Sequence, residues 1–163
     1  MPRSKLRELS MVFSVQIINL VNLLREKHEF IISSQIGRSA TSIGANIYEA
    51  NYAQGVNDFI SKLEIALKEA SETGYWLELL YRTENINEQT YQALSRQCTT
   101  IRVMLISSCK KAKEQNKKHQ YMFTEKYFVY CIKNSFLFYG VSLISGMIVS
   151  LAFSYYITVY ASS

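Results

Sequence analysis

Proline and glycine are both scarce in this sequence. Of 163 residues, one is proline, at position 2, and six are glycine. These two residues interrupt helices most strongly, and Leu, Ile, Ala, Glu and Lys are abundant instead, so the composition predicts long uninterrupted helices. A chain of this length suits one domain with an appendage and is long enough to bury a core.

Cysteine and histidine are too few and too scattered to build a structural framework. The three cysteines, Cys98, Cys109 and Cys131, have no CxxC spacing, which indicates free thiols in a reducing compartment. His28 and His119 have no Cys, His or carboxylate partner at a metal-binding interval. The amino terminus also lacks a cleavable signal pattern, so we expect a cytoplasmic protein.

The motifs of the common enzyme classes are missing as well. The sequence contains no GxGxxG, no GxxxxGK[ST] and no GxSxG. Four-helix bundles that hold two metal ions use Glu-x-x-His on two helices, and no glutamate is followed by histidine at that interval. Glu69 and Glu72 lie three apart without one. We therefore expect a non-enzymatic protein, with no catalytic, cofactor-binding or metal-binding residues and no cofactor.

Apolar residues recur at the helical spacing of three and four in four segments. The first helix is predicted from about residue 4 to 27, with the core stripe Leu6, Leu9, Phe13, Ile17, Leu20 and Leu24. Further apolar residues widen this stripe and predict contact with more than one neighbour: Val12, Val15, Ile18, Val21 and Leu23. The second helix is predicted from about residue 31 to 52, with the stripe Ile32, Ile36, Ala40, Ile43, Ile47 and Ala50.

The other two helices are expected to follow polar caps. Gly55 is predicted to end the second helix in a left-handed conformation, and Asn57 to cap the third, with Asp58 in its first turn. Asn87 is predicted to cap the fourth helix, which ends in a run of lysines. Because short connections force neighbouring helices to run in opposite directions, the prediction is an all-α, antiparallel up-down four-helix bundle over residues 1–120.

The turn between the second and third helices sets an expected register. Centred near residue 55, it brings Glu49 opposite Lys62 and Arg38 opposite Glu72. The alternative is that these charges are separately solvated. In the second helix, Gly37 and Gly44 lie seven apart, hence on one face, where their cost to the helix would be offset by a close approach to another helix.

Residues 121–163 form a second predicted segment, a hydrophobic and helical carboxy-terminal extension. No side chain carries a charge from Asn134 onward, and Ser135–Ala161 is long enough to span a bilayer, which takes roughly 20 apolar residues. The segment is therefore a candidate transmembrane helix, and the lysines before it would keep the bundle cytoplasmic. Packing as a fifth helix, partial strand structure and an extension without a selected function are the alternatives.

Two surface features suggest ligands. The lysine run, with five lysines against one glutamate, suits nucleic-acid phosphates or an anionic membrane surface, and a solvated helix end is the simple alternative. These lysines are Lys110, Lys111, Lys113, Lys117 and Lys118. Aromatic residues near the end of the third helix, Tyr75, Trp76 and Tyr81, are expected to pack in the core or in a subunit interface, with base stacking as the alternative.

Two long blocks resemble a known family. Residues 36–50, IGRSATSIGANIYEA, closely resemble the signature of the four-helix bundle proteins encoded in intervening sequences of bacterial 23S ribosomal RNA genes. Residues 58–73, DFISKLEIALKEASET, with YWL at 75–77, resemble the second block of that family. The resemblance covers roughly residues 5–115, and the apolar extension departs from it.

The resemblance implies an antiparallel four-helix bundle that assembles into a homopentamer. It also implies kinship with the accessory variability-determinant proteins of diversity-generating retroelements, which bind nucleic acid and a reverse transcriptase through a basic surface. Seven residues match motif positions and are interpreted as structural or interface residues: Arg38, Asn46, Glu49, Asp58, Lys62, Glu69 and Glu72.

Two functional hypotheses follow. The first is a non-enzymatic oligomeric scaffold that binds nucleic acid or protein, and its basic residues favour the nucleic acid. The second is an interaction module anchored to the membrane by residues 135–161, with the bundle in the cytoplasm. Salt dependence of binding tests the first, and membrane fractionation tests the second.

Overall fold

Four helices make up the fold. The computed structural model describes residues 4–138. The helices are α1 (Lys5–Glu26), α2 (Ile31–Ala50), α3 (Val56–Arg82) and α4 (Glu88–Phe138), and residues 4–138 contain no strand. The prediction of an all-α four-helix bundle is confirmed.

The core lies where the four apolar stripes meet. Phe13 and Ile17 of α1, Ile43 of α2 and Leu77 of α3 are completely buried, and Leu105 of α4 lies in the same cluster. Burying an aliphatic or aromatic side chain contributes about 1.5–3 kcal/mol, so this cluster is the main source of stability. The chain divides into two compact units after Asn116, and the core belongs to the first.

Helices α2 and α3 pack together in the expected register. Lys62 Nζ lies 2.5 Å from Glu49 Oε2, and the Arg38 guanidinium bonds the Glu72 carboxylate. The residues of α3 in these contacts have falling numbers as those of α2 rise, which is the pattern of an antiparallel hairpin. Both predicted ion pairs are present.

The first part of α4 contacts α3 at several levels. The Cys98 thiol donates to the carbonyl oxygen of Ala70 at 3.2 Å. One end carries stacked Tyr81 and Tyr91 rings, 4.6 Å between centroids. Toward the other end, Lys113 Nζ lies 2.6 Å from Glu64 Oε1. Polar contacts thus accompany the apolar core along this pair of helices.

The close approach predicted for the two glycines of α2 occurs against α1. A Cβ atom added to Gly37 would lie 3.2 Å from Val21 Cγ2, and one added to Gly44 would lie 3.3 Å from Ser14 Oγ. The facing residue of α1 is also small, since it is Ser14. Its hydroxyl donates to the carbonyl oxygen of Ser10 at 2.9 Å. A side chain at either glycine would crowd α1.

The predicted caps around the second turn are wrong. Helix α2 ends at Ala50, and Gly55 is extended, with φ −171°, at the N-cap of α3. Asn57 lies inside α3, whereas Asp58 is in the first turn as expected, where it accepts the Gln54 N–H at 3.1 Å. The carboxylate closes this loop, so no left-handed residue is needed. The Asn87 cap is confirmed, because its side chain accepts the Thr90 N–H at 2.8 Å.

The lysine run does not end α4. Lysine has a high helix propensity and neither proline nor glycine follows until residue 140, so the helix continues to Phe138. The predicted transmembrane segment, residues 135–161, lies outside the described residues beyond its first four. Within residues 4–138, no helix is long and apolar enough to cross a membrane.

Candidate interaction surfaces

The described part of the chain exposes apolar, basic and aromatic side chains. Within it, no group of three or more His, Cys, Asp or Glu side chains is placed to hold a metal ion. Cys98 and Cys109 are buried, and burial raises the pKa of Cys98 to about 11, so its thiol is protonated and unreactive at neutral pH. The candidate sites are therefore the exposed apolar, basic and aromatic side chains.

Most of the residues that were predicted to widen the apolar stripe of α1 are exposed in the described part of the chain. Val21 is buried, but the other residues that widen the stripe are exposed, and Met11 joins them at 59%. The exposed residues, which we call the outer face of α1, are Met11, Val12, Val15, Ile18 and Leu23. The predicted core stripe of α1 is the buried side, whereas periodicity did not show that most of the residues widening it stay exposed.

No charged residue lies between Glu8 and Arg25, on any side of α1. One side of α1 is buried in the bundle, and the other presents apolar side chains to solvent, with the uncharged Asn19 and Asn22 among them. Such a face is suited to association with another apolar surface.

The five predicted basic residues lie on α4, in two groups. Lys110 and Lys111 are exposed, and among the described side chains neither has an ion pair. Lys113 instead bonds Glu64, and this hydrogen bond raises the pKa of Lys113 and lowers that of Glu64. Lys117 and Lys118 are also exposed, in the second compact unit.

The seven motif residues lie on α2 and α3, where those helices pack together. Arg38 bonds Glu72 and lies 3.7 Å from Glu69, and the Trp76 indole N–H donates to Glu72 at 3.1 Å. Lys62 bonds Glu49. The Asn46 side chain donates to the carbonyl oxygen of Ser42 at 2.9 Å, one turn back on its own helix. Most of these contacts join the two helices.

The aromatic residues near the end of α3 divide between packing and exposure. Trp76 packs against the core and Tyr81 stacks on Tyr91, whereas Tyr75 is 59% exposed. Packing thus accounts for the first two.

A second aromatic group was missed by sequence reasoning. The guanidinium carbon of Arg7 lies 4.4 Å from the ring centroid of Tyr48, and Tyr48 contacts Tyr52, which lies two residues past the end of α2. The spacing of the two tyrosines was visible in the sequence. The contact of Tyr48 with Arg7, 41 residues away, was not.

Comparison with known proteins adds a family to this fold. The profile of the 23S rRNA-intervening sequence protein family matches residues 3–107. A crystal structure described as a protein with unknown function from the S23 ribosomal protein family of Bacteroides thetaiotaomicron is 53% identical, over 64% of this chain and 98% of that chain, with a TM-score of 0.64. A comparison with curated proteins gives no match. The matched residues include both blocks on α2 and α3, and the chain therefore belongs to the 23S rRNA-intervening sequence protein family.

Proposed function

We propose that this protein is a non-enzymatic helical scaffold that self-associates through the outer face of α1. The observation that carries the proposal is the run of exposed aliphatic residues on a helix with no charge between Glu8 and Arg25. Exposed contiguous apolar surface of this kind is typical of protein interfaces. The partner we propose is a second copy of the chain.

A second copy suits this face because of its chemistry. The face has no charged side chain that a different partner would have to complement. Residues on one copy can meet the same kind of residues on another, as subunit interfaces in symmetric homo-oligomers require. The family resemblance suggests a pentamer, and the number of subunits can be measured directly.

The test introduces a glutamate at each of two equally exposed apolar residues, one on the outer face of α1 and one on α4. Met11→Glu places a charge at the amino-terminal end of the outer face, where Met11 is 59% exposed, whereas Val103→Glu places one on α4, where Val103 is also 59% exposed. Light scattering on the full chain should give an oligomer for the wild type and for Val103→Glu, and a monomer for Met11→Glu. A wild-type monomer, or an unchanged Met11→Glu oligomer with native circular dichroism, would contradict the proposal.

The scaffold is further proposed to bind nucleic acid through α4. The supporting observation is the exposure of Lys110 and Lys111 without ion pairs among the described side chains. Lysines in this state can neutralise phosphates and release counterions, and the resulting affinity falls steeply with salt. The net charge of +5 also favours binding of a negatively charged nucleic acid.

Salt titration of a labelled single-stranded RNA tests this second proposal. We expect affinity to fall between about 50 and 200 mM salt, and the double substitution Lys110→Gln, Lys111→Gln to reduce the slope by roughly one to two counterions. Lys68→Gln, an exposed lysine of α3, is the control and should leave the slope closer to wild type. Affinity that is independent of salt would exclude a phosphate-based interaction.

A further inference from the structure

We infer that Tyr48 and Tyr52, together with Arg7, form a base-stacking site for single-stranded nucleic acid. The site lies where the first turn of α1 meets the end of α2 and the turn that follows it. This inference rests on the proposed nucleic-acid binding and locates a part of it away from the lysines of α4. The observations are the geometry of the two rings, their exposure and the charges around them.

The two tyrosine rings lie next to each other on the surface. Their ring centroids are 5.4 Å apart with planes inclined by 40°, and their hydroxyl oxygens lie 3.4 Å apart. Tyr48 is 44% exposed and Tyr52 is 70% exposed. Burying a tyrosine ring is strongly favourable, yet the core of α2 is built by Ile47 and Ala50 and leaves both rings outside.

Arg7 fixes the position of this pair of rings. Its guanidinium lies over the Tyr48 ring, 4.4 Å from the centroid, in the geometry of a cation–π contact. Tyr48 in turn contacts Tyr52 through both ring and hydroxyl. An aromatic surface that is already ordered loses less conformational entropy when a ligand stacks on it, and this favours binding.

The charges at this place favour a polyanion. Arg7 and the exposed Lys5 supply two positive charges in the first turn of α1, against one negative charge from Glu8 in the same turn, and the positive end of the helix dipole adds to the excess. Glu49, between the tyrosines, is bound to Lys62 Nζ at 2.5 Å, which offsets its charge. Tyr52 is a neutral phenol at physiological pH and does not repel phosphates, and its hydrogen bond with Tyr48 raises its pKa further.

A single strand fits these features better than a duplex. Bases inside a duplex are already stacked on both faces, whereas an unpaired base can stack on an exposed tyrosine. The sugar-phosphate backbone beside such a base would lie near the cations of Lys5 and Arg7. Every base has an aromatic face, so the site should tolerate sequence changes.

The experiment measures binding of a labelled oligouridylate of about 12 nucleotides to the full chain by fluorescence anisotropy. Tyr52→Ala should weaken binding by about fivefold to a hundredfold, because stacking of one base is lost. Tyr52→Phe should bind within about twofold of the wild type, because it keeps the ring. Phe30→Ala, at an aromatic residue before α2 that is 58% exposed, is the matched control and should bind like the wild type.

The salt dependence separates this site from the lysines. Tyr52→Ala should keep the wild-type salt slope, since a tyrosine neutralises no phosphate, whereas the Lys110 and Lys111 substitutions should reduce it. If the wild type binds the RNA, and both Tyr48→Ala and Tyr52→Ala bind it as tightly as the wild type does, the stacking site is wrong and nucleic-acid binding stands. If the wild type does not bind the RNA, both proposals fail.

Discussion

The hydroxyl oxygens of Ser39 and Thr73 lie 2.9 Å apart in the contact between α2 and α3, and both side chains are completely buried. Each hydroxyl is also near a carbonyl oxygen of its own helix: Thr73 Oγ1 lies 2.8 Å from that of Glu69, and Ser39 Oγ lies 3.3 Å from that of Ile36. One hydroxyl donates to the other, and the second donates to its own helix. The pair satisfies two polar groups that would be costly to bury alone.

Removing both members of this pair should therefore cost less than the two single removals added together. We expect Thr73→Val, which keeps the side-chain volume, to lower the free energy of unfolding by about 1–2 kcal/mol because Ser39 loses a partner. The double substitution Ser39→Ala, Thr73→Val should cost less than the sum of the two single changes. Urea unfolding of the four proteins measures the coupling, and strictly additive costs would show that the two hydroxyls do not interact.

Glycine should increase the stability of the protein at two positions where the backbone conformation is left-handed. His28 has φ 63° and Glu84 has φ 58°, and each follows the C-cap of a helix. Left-handed conformations cost non-glycine residues about 1–2 kcal/mol, part of which glycine loses again through its freer unfolded chain. We expect Glu84→Gly to raise the free energy of unfolding by up to about 1 kcal/mol. Glu84→Ala is the control, and equal stability of the two variants would contradict the explanation.

Glycine-to-alanine substitutions should separate close approach from helix propensity. Gly74 has no atom within 4 Å of an added Cβ atom, so Gly74→Ala should gain about 0.5–1 kcal/mol from propensity alone. At Gly37 the added methyl would crowd the buried Val21 at 3.2 Å. We expect Gly37→Ala to gain less than Gly74→Ala, or to lose stability. The comparison uses chemical denaturation, and an equal gain at both positions would mean that α1 and α2 can move apart freely.

The buried thiol of Cys98 should make stability fall at alkaline pH. Burial raises its pKa from 9.0 in the unfolded chain to about 11 in the folded protein. Between these values the unfolded chain releases the proton and the folded protein keeps it, so each step up in pH favours unfolding. The contribution is complete below pH 9 and is lost as pH rises toward 11.

The Cys98→Ala variant isolates this contribution. Its free energy of unfolding, measured from about pH 8 to pH 11, should decline less steeply than that of the wild type. Cys131, which is exposed, is the matched control, and Cys131→Ala should show the wild-type decline. Parallel pH profiles for the wild type and Cys98→Ala would contradict the raised pKa.

Sequence reasoning was most successful where the signal was local. The apolar stripes predicted four helices, and Asn87 was identified as a cap because its side chain acts within one turn. The pairs Glu49–Lys62 and Arg38–Glu72 also followed from the length of a single turn. It was less successful at the turn itself, where the Asp58 carboxylate, rather than a left-handed Gly55, closes the loop.

The sequence by itself determined the four helices, the apolar stripe that each one buries and the family to which the chain belongs, because helical periodicity and local motifs are written in consecutive residues. Only the tertiary structure decided that most of the residues widening the stripe of α1 stay exposed, that Arg7 meets Tyr48 and that Ser39 meets Thr73. Burial and contact between distant residues depend on how the helices are rotated against one another. That rotation is set by the packing of all the side chains in the core at once.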